Sequence, residues 1–224
     1  MLDYVGKISF SLCKYNLYLL MILDEKFWSK RYQDGMTGWD AGQITTPLKA
    51  YIDQLKDKTV KVLIPGCGYG HEVKYLYDSG FRNIFVVDIS LEPLERLKTL
   101  CPELGEEHFI HDDFFSIEGK YDLIIEQTFF SAIEPVLRPQ YVLKMKSLLS
   151  KKGKLVGLLL GVPMNSDHPP FGGSRAEYLE LFSTQFELIV FEESFNSIPP
   201  RALSLIHISE PTRHTSQSRM PSWA

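Results

Sequence analysis

Residues Val60-Lys61-Val62-Leu63-Ile64-Pro65-Gly66-Cys67-Gly68-Tyr69-Gly70 form an apolar, β-branched run that breaks into alternating glycines. Such a run predicts a buried parallel strand that turns sharply before a helix. Each glycine removes a Cβ and so lets a ligand approach the main chain. Asn83-Ile84-Phe85-Val86-Val87-Asp88 follows as a second buried strand that ends in an acid. A carboxylate at that place in an α/β sheet suits hydrogen bonds from two ribose hydroxyls.

The glycines alone leave several ligands open. A dinucleotide fingerprint needs glycine three residues after Gly68, where this chain has His71. A P-loop needs Gly-Lys-Ser/Thr, which is absent from this turn. An adenosyl ligand without phosphate fits the pattern best, and S-adenosylmethionine is the expected cofactor. The competing reading is an ordinary tight turn in an α/β protein, with Asp88 capping the next helix through Ser90.

Length and composition bound the rest. The 224 residues suffice for one domain with a full core, and 44% hydrophobic content marks a globular chain. A net charge of −4 without a basic stripe argues against nucleic acid as a partner. Cys13, Cys67 and Cys101 lie far apart, which suits a reducing cytoplasm and supports neither a disulfide framework nor a zinc site. His71 and His168 read as structural or hydrogen-bonding residues, and no metal is expected. Tyr15 to Leu23 is too short to span a membrane, so no membrane association is expected, and a monomer is the simplest assembly.

Both ends look foreign to the domain. Leu203 to Arg213 reads Leu-Ser-Leu-Ile-His-Ile-Ser-Glu-Pro-Thr-Arg, the translation of a common sequencing-library adapter. Residues 203–224 are therefore expected to be artefactual. Met21 stands directly before Ile22-Leu23-Asp24-Glu25, so 1–20 reads as an upstream extension, with a short native extension as the alternative. The expected functional domain is 21–202. Each excluded end carries a net +1, leaving the domain at −6.

Within that domain, hydrophobic spacing predicts helices at 24–33, 47–56, 70–79, 93–100, 138–150 and 175–182. Strands are predicted at 60–65, 84–88, 108–111, 121–126, 154–161 and 186–191. The alternation gives an α/β fold with a doubly wound, mostly parallel sheet. The ligand then belongs beyond the strand C-termini, where the glycine turn, Asp88, Asp112-Asp113 and Glu126-Gln127 fall.

A wider set of segments resembles the thiopurine S-methyltransferase family, in particular its thiol and halide methyltransferase branch. The segments are Trp28-Ser-Lys-Arg-Tyr32, Gly35-Met-Thr-Gly-Trp39-Asp40, Leu63-Ile-Pro-Gly-Cys-Gly-Tyr-Gly-His-Glu-Val73, Val87-Asp-Ile-Ser90 and Asp113-Phe-Phe115. Phe130-Ser-Ala-Ile-Glu-Pro135, Leu137-Arg-Pro139 and His168-Pro-Pro-Phe171 complete it. The resemblance implies a class I, Rossmann-like methyltransferase fold that uses S-adenosylmethionine. Its members end in a further antiparallel strand, whose place adapter sequence takes here, so that strand is expected to be missing.

The resemblance also implies roles. Trp28, Tyr32 and Trp39 would form a lid over the cofactor, their rings packing on the cationic sulfonium; the alternative is that they are core aromatics. Gly66 and Gly68 would carry backbone contact to the methionine portion, and Asp88 the ribose. Asp113 and Phe114 would flank adenine. Glu126 and Gln127 would point at the reacting methyl. Trp39, Gln127, Pro170 and Phe171 would shape the acceptor pocket. Cys67 reads as a small residue at the turn, not a nucleophile. Members that process thiopurines carry arginine where this chain has Gln127, so the acceptor is expected to be a small thiol, sulfide or halide. No essential acid–base residue is expected. The alternatives are an aromatic-thiol or thiopurine methyltransferase and a non-catalytic binding protein. A base methyltransferase is disfavoured, because strand four continues as Gln127-Thr128-Phe129-Phe130 without the Pro-Pro-aromatic motif.

Overall fold

The computed structural model describes residues 22–198 and 204–211. The expectations for 1–20 and for the chain beyond Pro211 lie outside the described residues. The elements run α1 (Glu25–Gln33), α2 (Thr46–Ile52), β1 (Val62–Pro65), α3 (His71–Asp78), β2 (Ile84–Asp88), α4 (Leu91–Leu100) and β3 (Phe109–His111). Then come β4 (Tyr121–Gln127), α5 (Phe129–Ala132), α6 (Arg138–Leu148), β5 (Leu149–Leu160), α7 (Arg175–Ser183), β6 (Phe186–Glu193) and β7 (Ser204–Pro211). The strands form one sheet in the order β3-β2-β1-β4-β5-β7-β6. β1 to β5 pair in parallel, whereas β7 runs antiparallel between β5 and β6.

The double winding follows from strand periodicity. Val62, Ile64, Ile84, Val86, Leu123 and Ile125 pack on one face with Leu48, Val73, Leu76, Leu94 and Leu97 of α2, α3 and α4. Leu63, Val87, Ile124 and Leu155 point the other way, onto Phe130, Tyr141, Met145 and Phe182 of α5, α6 and α7. Side chains alternate across a strand, and helices on both faces bury both sets. Each of these side chains contributes about 1.5–3 kcal/mol by leaving water. The strand order reverses between β1 and β4, and the crevice at their C-terminal ends is where such sheets hold ligands.

One expectation is corrected. Helix 138–150 stops at Leu148, and β5 starts at once with Leu149. Tyr121 pairs with Leu149 before the register shifts, so Lys152-Gly153 lies in a bulge and not in a helix-ending turn. The slot of the last antiparallel strand holds Ser204–Pro211, the adapter-like segment, which pairs with both β5 and β6. Main-chain pairing asks little of side chains, and Leu205, Ile206 and Ile208 belong to types at home in strands.

Candidate active site

β1 ends in a turn whose glycines Gly66 and Gly68 both hold left-handed φ, +58° and +54°. Side chains rarely take that backbone. At Gly66 a Cβ would also lie 2.2 Å from Cδ2 of Phe129. The Gly66 N–H donates to the Val87 carbonyl at 2.8 Å, which ties the turn to β2. At Gly68 the space is open up to the indole Nε1 of Trp39, 3.6 Å from where a Cβ would stand. The turn is thus a cradle with an aromatic ring across from it.

Asp88 closes β2 beneath this cradle. It is buried, and its Oδ1 accepts the Ser90 N–H at 2.9 Å. Burial pushes its carboxyl up to about 6, while the N–H groups of Ser90 and Gly68 and the Cys67 thiol pull it down. The Cys67 Sγ lies 3.8 Å from Asp88 Oδ2. Burial and the neighbouring Asp88 charge push the Cys67 thiol well above its usual range, the opposite of what a nucleophile needs.

The three lid candidates meet. Trp39 packs edge-on against Trp28 at 5.7 Å and against Tyr32 at 5.6 Å between ring centroids. Tyr32 also meets Tyr69 of the glycine turn at 6.0 Å. Burial, and then the charge of Asp88, drive the Tyr32 phenol far up. α1 starts with Asp24 accepting the Phe27 N–H and is fastened to α4 through Glu92. That carboxylate accepts from Ser29 Oγ and Gln33 Nε2, both at 2.8 Å. The α1 aromatics therefore lie over the Asp88 side of the turn.

A solvent-open cleft lies at the β1 and β4 ends, walled by Trp39, Gly66, Gly68, His71, Gln127 and Thr128. Gln127 Oε1 accepts a hydrogen bond from Thr45 Oγ1. Glu126, expected to point at the same place, faces the opposite side of the sheet, because adjacent strand residues alternate. It is fully buried, its Oε2 accepts the Phe130 N–H at 2.9 Å, and burial pushes its carboxyl up to about 8.

Other expected residues stand apart from the cleft wall. Phe114 is buried in an aromatic cluster, 5.2 Å from Phe129 and 5.6 Å from Tyr141. It reaches Gly66 only through Phe129. Asp113 is exposed, and its Oδ1 accepts the Phe115 N–H at 2.9 Å. Phe171 is buried, with its N–H on the Ser131 carbonyl and its own carbonyl accepting from Arg138. Pro170 beside it is exposed.

Three cleft features escaped the sequence reading. His71 Nε2 and Asp40 Oδ1 are hydrogen-bonded at 2.7 Å, although 31 residues separate them. Thr128 holds φ +67°, which is costly for a β-branched residue, and its Oγ1 donates to the Gln127 carbonyl. Thr45 is the third. Among the described residues no cluster of three or more His, Cys, Asp or Glu could hold a metal ion, and no helix is long and apolar enough to cross a membrane.

The fold recurs in solved structures. A Burkholderia thailandensis 1,6-didemethyltoxoflavin-N1-methyltransferase, solved with S-adenosylhomocysteine, superposes with a TM-score of 0.70 over 84% of this chain and 87% of its own, at 19% identity. Among curated proteins, the probable thiol methyltransferase 2 of Arabidopsis thaliana is 33% identical over 180 residues, 78% of this chain and 79% of its own. Thiocyanate methyltransferase 1 of Brassica oleracea is 30% identical over 190 residues, covering 82% and 84%. The sequence model described as Thiopurine S-methyltransferase (TPMT) matches residues 23–208, a span that takes in α1, the glycine turn, Asp88 and both walls of the cleft. This chain belongs to the thiopurine S-methyltransferase family.

Proposed function

We propose that the protein transfers the methyl group of S-adenosylmethionine to a small thiol, hydrosulfide or halide. One observation carries this reading: the cleft places the glycine cradle opposite Trp39 and beside Gln127, with no fixed cation for a phosphate in its wall. The relatives named for thiol and thiocyanate methyl transfer support it.

The residues fit the cofactor. The space over Gly68 would receive its methionine part, and Asp88 would take the ribose once the α1 aromatics lift. Trp28, Tyr32 and Trp39 would close over it, and Phe114 would back the adenine side through Phe129. When bound, the cofactor supplies a methyl already activated on a cationic sulfur. The chain's own part is alignment and exclusion of water, together about 7–11 kcal/mol at best. A thiol of pKa ~8.5 ionises enough at neutral pH without a dedicated base, and a halide needs none. Gln127 with Trp39 would confine the acceptor, and Asp113 would hold the loop before Phe115.

The test is methyl transfer from labelled S-adenosylmethionine to hydrosulfide, small thiols, iodide and aromatic thiols. Transfer to the small acceptors is expected. Activity confined to aromatic thiols overturns the acceptor class, and cofactor binding without any transfer identifies a binding protein.

The reading also includes a cytoplasmic location, which the free, buried Cys67 and Cys101 support, and a monomeric assembly. Fluorescence localisation and sedimentation test it, with a secreted or dimeric protein as the refuting result. Residues 21–202 are proposed as the native domain, with 203–224 encoded by adapter. An uninterrupted genomic reading frame through those codons refutes that assignment.

A further inference from the structure

Thr45 stands at the N-cap of α2 with extended backbone, φ −73° and ψ 146°. A threonine hydroxyl there ordinarily accepts an N–H of the first helical turn. This one makes no such bond. It donates instead to Gln127 Oε1 at 2.5 Å, across 82 residues of chain. Thr45 is 1% exposed, so water cannot substitute for the bond. A local stabilising contact has been given up for a distant one that ends at the cleft.

That bond decides which end of the carboxamide the cleft sees. With its oxygen committed to Thr45, the amide turns its NH₂ the other way. Gln127 belongs to the cleft wall, and its nitrogen has no protein partner among the described residues. The NH₂ carries two donors and no acceptor. The flipped amide would present oxygen and repel an anion.

We propose that Thr45 is a positioning residue that locks the Gln127 amide as a two-donor site for a small anionic acceptor, a thiolate or a halide. The proposal rests on the methyl-transfer reading and adds how the acceptor is recognised. In the reaction the acceptor lone pair forms the new bond to carbon while the sulfonium sulfur keeps the electrons of the old one. Anion and cation become two neutral products. A neutral thioether or alkyl halide accepts hydrogen bonds weakly, so the same donors that hold the acceptor release the product.

Iodide is the probe, read by saturable quenching of tryptophan emission with S-adenosylhomocysteine present, because Trp39 shares the cleft. Initial rates with iodide and hydrosulfide are measured alongside. Thr45→Val should weaken iodide binding and raise acceptor KM by roughly tenfold or more, the scale of a charge-assisted hydrogen bond. S-adenosylhomocysteine affinity should hold. Thr45→Ser should restore both, and Gln127→Glu should abolish iodide binding. Wild-type iodide affinity in Thr45→Val overturns the proposal. So does a common loss of iodide binding, cofactor affinity and melting temperature that serine fails to rescue. Wild-type protein that methylates thiols but lacks saturable iodide binding defeats this proposal alone. Saturable iodide binding without methyl transfer defeats only the functional reading.

Discussion

Replacing Glu126 by glutamine separates the shape of this side chain from its charge. The folded protein pushes the carboxyl up to about 8 from its ordinary 4.5, with burial as the largest cause. The folded state therefore keeps a proton that the unfolded chain releases. Stability is full below pH 4.5 and is lost as pH rises towards 8. Between pH 6 and pH 8 the loss amounts to about 2 kcal/mol. Glutamine keeps an oxygen for the Phe129 and Phe130 N–H groups and has nothing to ionise. Its nitrogen would stand where Glu126 Oε1 now has no partner among the described residues. The Glu126→Gln protein should thus gain about 2 kcal/mol over wild type as pH goes from 6 to 8. With a urea m-value of roughly 2 kcal/mol/M, the gap between unfolding midpoints should widen by about 1 M. Measuring the difference between the two proteins cancels every other titrating group. A gap that is equal at pH 6 and pH 8 refutes the reasoning.

Three further outcomes are expected. Asp88→Ala should raise the dissociation constant for S-adenosylmethionine at least tenfold in calorimetry; near-wild-type affinity would sink the ribose assignment. Gly66→Ala forces a left-handed alanine against Phe129 and should cost about 2–4 kcal/mol in thermal unfolding; an unchanged melting temperature would show that the turn is not constrained. Gln127→Arg should shift acceptor preference towards anionic aromatic thiols, and an unaltered substrate profile would remove the reason for setting thiopurines aside.

Much of the frame was legible because it is local. The β-branched run into Gly66, the run into Asp88, and the alternation of Leu63 against Val62 and Ile64 each announce themselves within a few residues. That Trp28 and Tyr32 share a helix face was also readable, since they are one helical turn apart; their meeting with Trp39 was not fixed by that spacing. What was lost is long-range. Thr45 meets Gln127 and Asp40 meets His71 only after the sheet has assembled. Which of Glu126 and Gln127 faces the cleft depends on how β4 is set in the sheet, and a strand's sequence alternates without saying which side is which. The surroundings of Phe114 were hidden for a related reason: the aromatic residues of α5 and α6 enclose it only once the helices pack.

The order of strands at one end of the sheet bears on how the protein is made. β7 is synthesised after β6 but lies inside it, between β6 and β5. While the nascent chain is still on the ribosome, β6 has no neighbour to hydrogen-bond, and β5 presents a bare rim. The strands that build the cradle and the carboxylate beneath it, β1, β2 and β4, are complete well before that. The ligand-binding half of the molecule can thus form during translation, whereas the other half waits for whichever segment enters the slot between β5 and β6, here the adapter-like residues 204–211. Any interruption before that moment leaves a half-finished sheet with two sticky borders, the form in which this protein is most exposed to self-association.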